Sequence, residues 1–190
     1  MIYPIVAYGA SVLRKVCDDI VKEEVDVKKI SDNMFDTMYA AYGVGLAGPQ
    51  VGLNIRIFVV DGAPLADSQE DDEIKDASLI GFKKTFINAK ILSETGDKWA
   101  FEEGCLSIPG IRANVFRPST VVINYFDTDW VEHTETFTGL AARIIQHEYD
   151  HIEGILFTDH LAPLKKQTLK KKLAQIQKGE VDADYKMSFN

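Results

Sequence analysis

The sequence predicts an α+β fold in which mostly antiparallel sheets pack around a central helix, with a further helix near the C-terminus. Apolar residues recur at helical spacing in three segments, 27–42, 138–153 and 164–178. Short runs rich in β-branched and aromatic residues indicate strands near 55–60, 83–92, 120–126 and 131–136. No internal repeat or low-complexity linker interrupts the chain, so we predict one domain spanning residues 1–190.

Length and composition exclude several classes of protein. The chain is 46% hydrophobic, which suffices for one real core. No apolar run approaches the roughly 20 residues that span a bilayer, and the N-terminus lacks the basic start and apolar run of a signal peptide. Because there are only two cysteines, a disulfide framework is not expected. We therefore expect a cytoplasmic protein with no membrane partner.

The first helical segment is followed by a glycine-rich loop, GVGLAGPQ at 43–50. Three glycines in six residues let a bare backbone edge come close to another group. Gln50 adds a neutral amide donor. The glycine spacing matches neither a phosphate-binding loop nor a dinucleotide-binding turn, so this loop by itself predicts a close approach and no particular ligand.

Charge is distributed unevenly along the chain, whose net charge is −8. The stretch from Asp61 to Asp76 holds seven acidic residues and a single lysine, and we predict a flexible, solvated loop insert at about 61–78. Lysines and apolar residues alternate at helical spacing near the C-terminus, which predicts a basic amphipathic helix at about 164–178. The lysines are Lys165, Lys166, Lys170, Lys171, Lys172 and Lys178, and the apolar residues are Leu164, Leu169, Leu173 and Ile176.

The segment 138–153 contains an H-E-x-x-H run, QHEYDH at 146–151. Positions four apart on a helix share one face, so His147 and His151 present two imidazoles to one point, with Glu148 beside them. This pattern makes the central helix a metal-bearing helix with an attached general base. A hydrolytic site usually has three protein ligands and leaves a further position for water, so a third ligand is required.

The third ligand is not found after the helix. At the spacing used by metalloproteases with a third histidine, the sequence has Phe157, which cannot bind a metal. Upstream, Cys105 lies in EGCLS at 103–107, at the end of a strand-like segment where Gly104 allows close approach of the backbone. A thiolate at this position could complete a Cys-His-His set.

The three segments GVGLAGPQ, EGCLS and QHEYDH resemble, in order and spacing, the signature motifs of peptide deformylases, and the resemblance covers roughly the first 165 residues. One departure is Gly48, where the family more often has alanine. The resemblance implies a metal-dependent hydrolase that removes the formyl group from the N-terminal formyl-methionine of newly made polypeptides and releases formate. It also implies one divalent ion, usually Fe²⁺, with Zn²⁺, Ni²⁺ or Co²⁺ able to occupy the same site.

The resemblance assigns a role to each motif residue. It implies that the metal ligands are Cys105, His147 and His151. It makes Glu148 the general acid and base, with Gln50 and the backbone N–H of Leu106 as donors to the developing oxyanion. Val44, Gly45 and Gly104 are implied to bind the substrate, Gly45 through strand-like backbone pairing.

The face of the central helix itself suggests two more substrate contacts. Leu140 and Ile144 precede His147 by seven and three residues and therefore share its face. They would extend the metal site into an apolar wall suited to a methionine side chain. Because helix faces are mostly buried for packing, both residues could equally serve only as core.

The basic C-terminal helix bears on which partners the protein binds. The family suggests that a basic C-terminal helix can dock on the ribosome, whereas an ordinary solvated helix face is the simpler interpretation. We expect a monomer. Two other functions fit parts of the pattern: a zinc metallopeptidase, which the missing ligand after His151 disfavours, and a non-catalytic structural metal-binding protein, which would be closed by four protein ligands.

Overall fold

The computed structural model describes residues 1–67 and 76–189, and in this part of the chain helices and antiparallel strands are mixed. The strands are β1 (Ile5–Val6), β2 (Gly45–Ala47), β3 (Ile57–Asp61), β4 (Lys83–Cys105), β5 (Ile108–Phe126), β6 (Glu132–Thr138) and β7 (Met187–Ser188). The α-helices are α1 (Val27–Ala40), α2 (Ala63–Asp67), α3 (Gly139–Ile152) and α4 (Pro163–Gln177). The predicted α+β class is confirmed.

The main sheet has five antiparallel strands in the order β2-β3-β4-β5-β6, while β1 pairs in parallel with β7. Strands β4 and β5 form a long hairpin that extends well beyond the strands predicted near 83–92 and 120–126. The sequence hides this extension because residues 93–98 are polar and exposed, and so have the composition of a loop. Pairing with β5 keeps them in a strand.

Helix α3 lies at the centre of the molecule. Ten of its 14 residues are buried, and its apolar residues pack against sheet residues that include Phe58 and Phe86. Thr138, at the start of the helix, makes no side-chain cap. Instead Asp76, distant in sequence, accepts a hydrogen bond from the Leu140 N–H at 2.6 Å. Gly139 has a φ of +58°, and a Cβ there would collide with the Asp76 carboxylate, so this helix start requires glycine.

Helix α4 lies at the edge of the molecule and buries only one narrow stripe. Leu169, Leu173 and Ile176 pack against β5 residues, whereas Leu164 is 75% exposed. Within residues 1–67 and 76–189, none of the helices combines the length and apolar character that crossing a membrane would demand.

The predicted acidic insert at about 61–78 falls largely outside the described residues, which omit 68–75. Its two described flanks are helical, since Ala63–Asp67 forms α2 and Ala77–Leu79 forms a 3₁₀ turn. The second flank places Asp76 at the start of α3. One end of the insert therefore supports the helix that carries the histidines.

Candidate active site

The three predicted metal ligands converge at one point. Cys105 is the last residue of β4, and His147 and His151 lie one turn apart on α3. Their possible ligand atoms all lie within 4.8 Å of one another, and the Cys105 Sγ is 3.3 Å from the His151 Nε2. Among the described residues, this is the group of His, Cys, Asp and Glu side chains that could hold a metal. A thiolate and two imidazoles suit a borderline or soft divalent ion.

The surroundings of Cys105 favour its thiolate form. Burial by itself would raise the pKa of the thiol, but the charge on His151 and hydrogen bonds with His147 and His151 outweigh burial and lower that pKa to about 5. Burial would also lower the pKa of His147. Hydrogen bonds to Cys105 and Glu103 outweigh burial and raise that pKa well above its ordinary value. Cys105 and His147 are thus held as a charged pair, and binding of a divalent ion would release the imidazole proton.

Glu103 orients the first histidine. Its Oε2 is 2.9 Å from the His147 Nδ1. Burial would raise the pKa of Glu103, but hydrogen bonds and charges from His147 and Arg117 hold it far below its usual range. An ionised carboxylate can only accept, so Nδ1 keeps its proton. Nε2 is then the nitrogen that becomes available to a metal when His147 loses its other proton.

Glu103 is held in turn by two buried arginines, of which Arg143 is expected from its helix position to make a salt bridge or structural hydrogen bond and Arg117 belongs to no motif. Arg117 donates from Nε and Nη2 at 2.7 and 3.0 Å, and Arg143 donates from Nη1 at 3.0 Å. Arg117 also reaches Asp150 at 2.7 Å. A signal for Glu103 does exist in the sequence: it precedes Cys105 by two positions, so both residues face the same side of β4. Arg143 lies four residues before His147 and so shares its helix face, whereas Arg117 belongs to β5 and no spacing in the sequence connects it with the motifs.

The two remaining histidines are not part of the metal group. His133 Nε2 lies 2.8 Å from Asp127 Oδ2, and His160 Nε2 lies 2.7 Å from Asp150 Oδ2. Each imidazole is thus engaged with a carboxylate outside the Cys105 cluster.

Glu148 is buried beside the three ligands. Its Oε2 has no hydrogen-bond partner among the described residues, although the side chain is only 4% exposed. Burial raises the pKa of this carboxyl to about 7, against the lowering effect of the two histidines. Gly45 packs directly on the carboxylate, where any Cβ would overlap it. The site therefore combines a proton acceptor of near-neutral pKa with a bare backbone edge.

Gln50 is held so that its amide nitrogen faces the thiol. The Ala47 N–H donates to Gln50 Oε1 at 2.8 Å, and Gln50 Nε2 donates to Cys105 Sγ at 3.4 Å. Gly48 is needed at its own position, because a Cβ there would lie 2.8 Å from the Ile55 carbonyl oxygen. The backbone at 53–55 therefore packs closely on Gly48 and leaves no room for a larger side chain.

A cleft of about 740 Å³ opens over these groups. Its walls include all five predicted substrate-binding residues, Val44, Gly45, Gly104, Leu140 and Ile144. Leu140 and Ile144 are also buried at 7% and 6% exposure, so they belong to both the core and the cleft. The wall also contains Asp182–Tyr185, which sequence reasoning missed because this polar tail has no periodicity or motif.

The sequence matches known peptide deformylases over nearly its whole length. A family model for polypeptide deformylase matches residues 2–167. Peptide deformylases of Christiangramia forsetii and Cytophaga hutchinsonii are 57% and 58% identical to the chain over 189 residues, covering all of it and 96% and 98% of those proteins. Neither a zinc metallopeptidase nor a structural metal-binding protein is supported by these matches.

Solved structures agree with the sequence relatives. The peptide deformylase of Legionella pneumophila superposes with a TM-score of 0.78 at 33% identity, covering 95% of this chain and 98% of that one. The enzyme of Thermotoga maritima gives a TM-score of 0.73 at 34% identity, covering 86% and 99%. The chain therefore belongs to the peptide deformylase family of metal-dependent hydrolases, which remove the formyl group from the N-terminus of new polypeptides.

Proposed function

We propose that Cys105, His147 and His151 hold the divalent ion with which this deformylase releases formate from N-formyl-methionyl peptides. The observation that carries the assignment is the convergence of these three donors beside a buried carboxylate oxygen that lacks a described partner. A bound ion supplies Lewis-acid chemistry, which activates a water molecule and polarises the formyl carbonyl.

Glu148 transfers the protons of the reaction. With a pKa of about 7, its carboxylate accepts the proton of the attacking water as the oxygen bonds to the formyl carbon. When the C–N bond breaks, Glu148 returns that proton to the departing amine nitrogen. The products are formate and a peptide with a free α-amino group.

Gln50 and Leu106 stabilise the charge that develops on the formyl oxygen. The bond from Ala47 to Gln50 Oε1 fixes the amide so that Nε2 is directed at the thiol side of the cleft. The Leu106 N–H follows Cys105 directly in the chain and is the second donor. Both donors are neutral, and loss of one such donor typically costs about 10²- to 10³-fold in rate.

The methionine end of the substrate lies along the apolar side of the cleft. Leu140 and Ile144 form the wall that contacts the side chain, and their position one and two turns before His147 keeps the formyl group near the ligands. Gly45 offers its backbone to the peptide in strand-like pairing, and Val44 and Gly104 line the cleft beside the bound peptide.

We assign Fe²⁺ as the ion in the cell, from the family resemblance together with a ligand set of one thiolate and two imidazoles. The same set accepts Zn²⁺, Ni²⁺ and Co²⁺, so supply and oxidation also decide which ion is found. Metal analysis of protein purified without oxygen tests the assignment, and a stoichiometric ion other than iron under those conditions contradicts it.

The exposed lysines of α4 make this helix a candidate ribosome contact, because a basic face suits a phosphate backbone. The test replaces Lys170, Lys171 and Lys172 by glutamine, and the control replaces the exposed Lys29, Lys90 and Lys98. Truncation before α4 is unsuitable because it also removes a wall of the cleft. Loss of co-sedimentation with ribosomes in the first variant alone supports docking, and equal binding of both variants contradicts it.

The setting proposed for the enzyme is the cytoplasm, as a monomer. Both cysteines are free, and a reducing compartment preserves the Cys105 thiolate that the metal needs. Light scattering of the purified protein tests the oligomeric state, for which a mass near 21.2 kDa is expected.

The decisive experiment measures formate released from formyl-Met-Ala-Ser by anaerobically purified wild type and Glu148→Ala. We expect equal metal content in the two proteins and a loss of turnover in the variant of about 10²- to 10⁴-fold. Unchanged turnover would show that another group transfers the protons. A wild type that holds metal but releases no formate would overturn the proposed reaction.

A further inference from the structure

The last residues of the chain return to the cleft along a defined path. After α4, Gly179 takes a φ of +75° and the Glu180 N–H donates to the Gln175 carbonyl at 2.9 Å, which reverses the chain. Strand β7 then pairs with β1, with the Ile5 N–H donating to the Lys186 carbonyl at 2.8 Å. The intervening residues Asp182–Tyr185 are thereby anchored at both ends while they line the cleft.

Tyr185 connects this tail to the residue after the cysteine ligand. Its hydroxyl donates to the Leu106 carbonyl oxygen at 2.8 Å. The next carbonyl, that of Ser107, accepts from the Tyr8 N–H at 2.8 Å. Two consecutive carbonyls are therefore held by the C-terminal tail and by the chain next to β1, and these two segments pair with each other.

The two-residue turn that these bonds hold does not have the backbone conformation usual for a β-hairpin. Cys105 pairs with Ile108, so Leu106 and Ser107 are the two central residues between β4 and β5. Two-residue hairpins usually need a left-handed φ at the first or both central positions. Neither residue has one, since positive φ among the described non-glycine residues occurs only at Glu23, Tyr42, Asn88 and Trp130.

The strand register is also irregular at this point. Gly104 pairs with Arg112 whereas Cys105 pairs with Ile108, so three residues of β5 fall outside the ladder. Neither the turn type nor the ladder therefore fixes the position of Leu106. The bonds from outside the hairpin supply that constraint.

We propose that Tyr185 is a positioning residue for deformylation, which holds the Leu106 turn so that the Leu106 N–H stays directed at the oxyanion. The inference rests on the donor role assigned to that N–H above. The peptide groups on either side of Leu106 share its Cα, so a carbonyl held by Tyr185 limits rotation of the donor peptide. Release of this bond displaces the donor without removing it.

The test uses Tyr185→Phe, which keeps the ring and deletes only the hydroxyl, with formyl-Met-Ala-Ser as substrate. We expect kcat to fall about ten-fold, less than for loss of a donor, while KM and metal content stay within about two-fold. The matched control is Tyr125→Phe. The Tyr125 hydroxyl also makes a hydrogen bond, to Glu135 Oε2 at 2.7 Å, but it lies outside the cleft. Its kcat should equal that of wild type.

A second measurement does not depend on turnover. Amide hydrogen exchange across 103–111 in the zinc-loaded proteins should be faster in Tyr185→Phe than in wild type or Tyr125→Phe. An unchanged kcat, an equal fall in both variants, or a fall that follows lost metal in Tyr185→Phe each overturns the positioning role. Absence of formate release by the wild type would instead overturn the proposed reaction, so the two failures are distinguishable.

Discussion

Helices α3 and α4 have nearly the same length, 14 and 15 residues, but they carry their charges in opposite environments. On α3, Arg143 and Glu148 are 2% and 4% exposed, and the arginine is matched by Glu103 from β4. On α4 the lysines project into water and only a stripe of three apolar residues is buried. A buried charge is stable where partners are in place, as they are for Arg143. The Glu148 Oε2 lacks a partner among the described residues, and burial instead raises the pKa of that carboxyl to about 7. Burial therefore concentrates the chemistry on α3.

The strongest test of this difference is Arg117→Met, which removes from β5 a cation that faces Asp150 of α3. Arg117 is 4% exposed and binds both Glu103 and Asp150, whose pKa values are lowered although burial would raise them. Removing the arginine takes one charged partner from each buried carboxylate, while Glu103 keeps Arg143 and His147 and Asp150 keeps His160. The free energy of unfolding should therefore fall by about 3 kcal/mol, the low end for a broken buried ion pair. Urea denaturation at neutral pH measures it.

Lys170→Met on α4 is the matched control for the loss of a positive charge. Because Lys170 is exposed, its replacement should change the free energy of unfolding by no more than about 0.5 kcal/mol. Similar losses in the two variants would mean that the interior charges are as well solvated as those on α4, and the contrast between the helices would fail.

A smaller effect is expected from the apolar residues at the start of each helix. Leu140→Ala on α3 should lower the free energy of unfolding by about 2 kcal/mol, at the low end for a core leucine because the space opens into the cleft. Leu164→Ala on α4 should cost less than about 0.5 kcal/mol, since Leu164 is 75% exposed. The same leucine pair separates binding from packing: KM for the formyl-methionyl peptide should rise only in Leu140→Ala.

Leu164 also shows what sequence periodicity cannot predict, namely how much of a helix face is buried. Its spacing with Leu169, Leu173 and Ile176 predicts one apolar face, yet only the last three are buried. Periodicity identifies a helix and its preferred face, but the neighbouring elements decide how much of that face is covered. The sequence predicts too short a β4–β5 hairpin for the same reason, because pairing between the two strands keeps its polar middle extended and no local pattern reveals that pairing.

The residues of the candidate site also fall into two groups, those that sequence patterns reveal and those that only the fold brings in. Cys105, His147, His151, Glu148 and Gln50 belong to short motifs, whose chemistry can be inferred from residue type and spacing alone. Arg117 and Tyr185 reach the site across long sequence separations, of 14 residues to Glu103 and 79 to Leu106. Only folding brings such partners together, so a single sequence offers no signal for them.

The smallest expected effect concerns how the two helices begin. Helix α4 starts with Pro163 and has no side-chain cap, whereas α3 is capped by the distant Asp76. Burial would raise the pKa of Asp76, but hydrogen bonds from the Leu140 N–H and from Ser78 lower it. A carboxyl with a lowered folded pKa contributes stability that is present above its unfolded pKa, about 3.9, and is lost as the pH falls through the folded pKa.

Asp76→Asn keeps the cap geometry and removes the charge next to the positive end of the α3 dipole. At pH 7 the free energy of unfolding should fall by about 0.5–1 kcal/mol. The difference from wild type should begin to shrink as the pH falls below about 4, where the unfolded carboxyl takes up a proton, and should disappear once the pH is below the lowered folded pKa. Urea denaturation of metal-free proteins measures both values without interference from metal release. The exposed Asp97→Asn should show no such difference at either pH. If Asp76→Asn remains less stable than wild type at low pH, the loss of stability comes from altered hydrogen bonds to the helix start. The negative charge of Asp76 would then contribute nothing to the stability of α3.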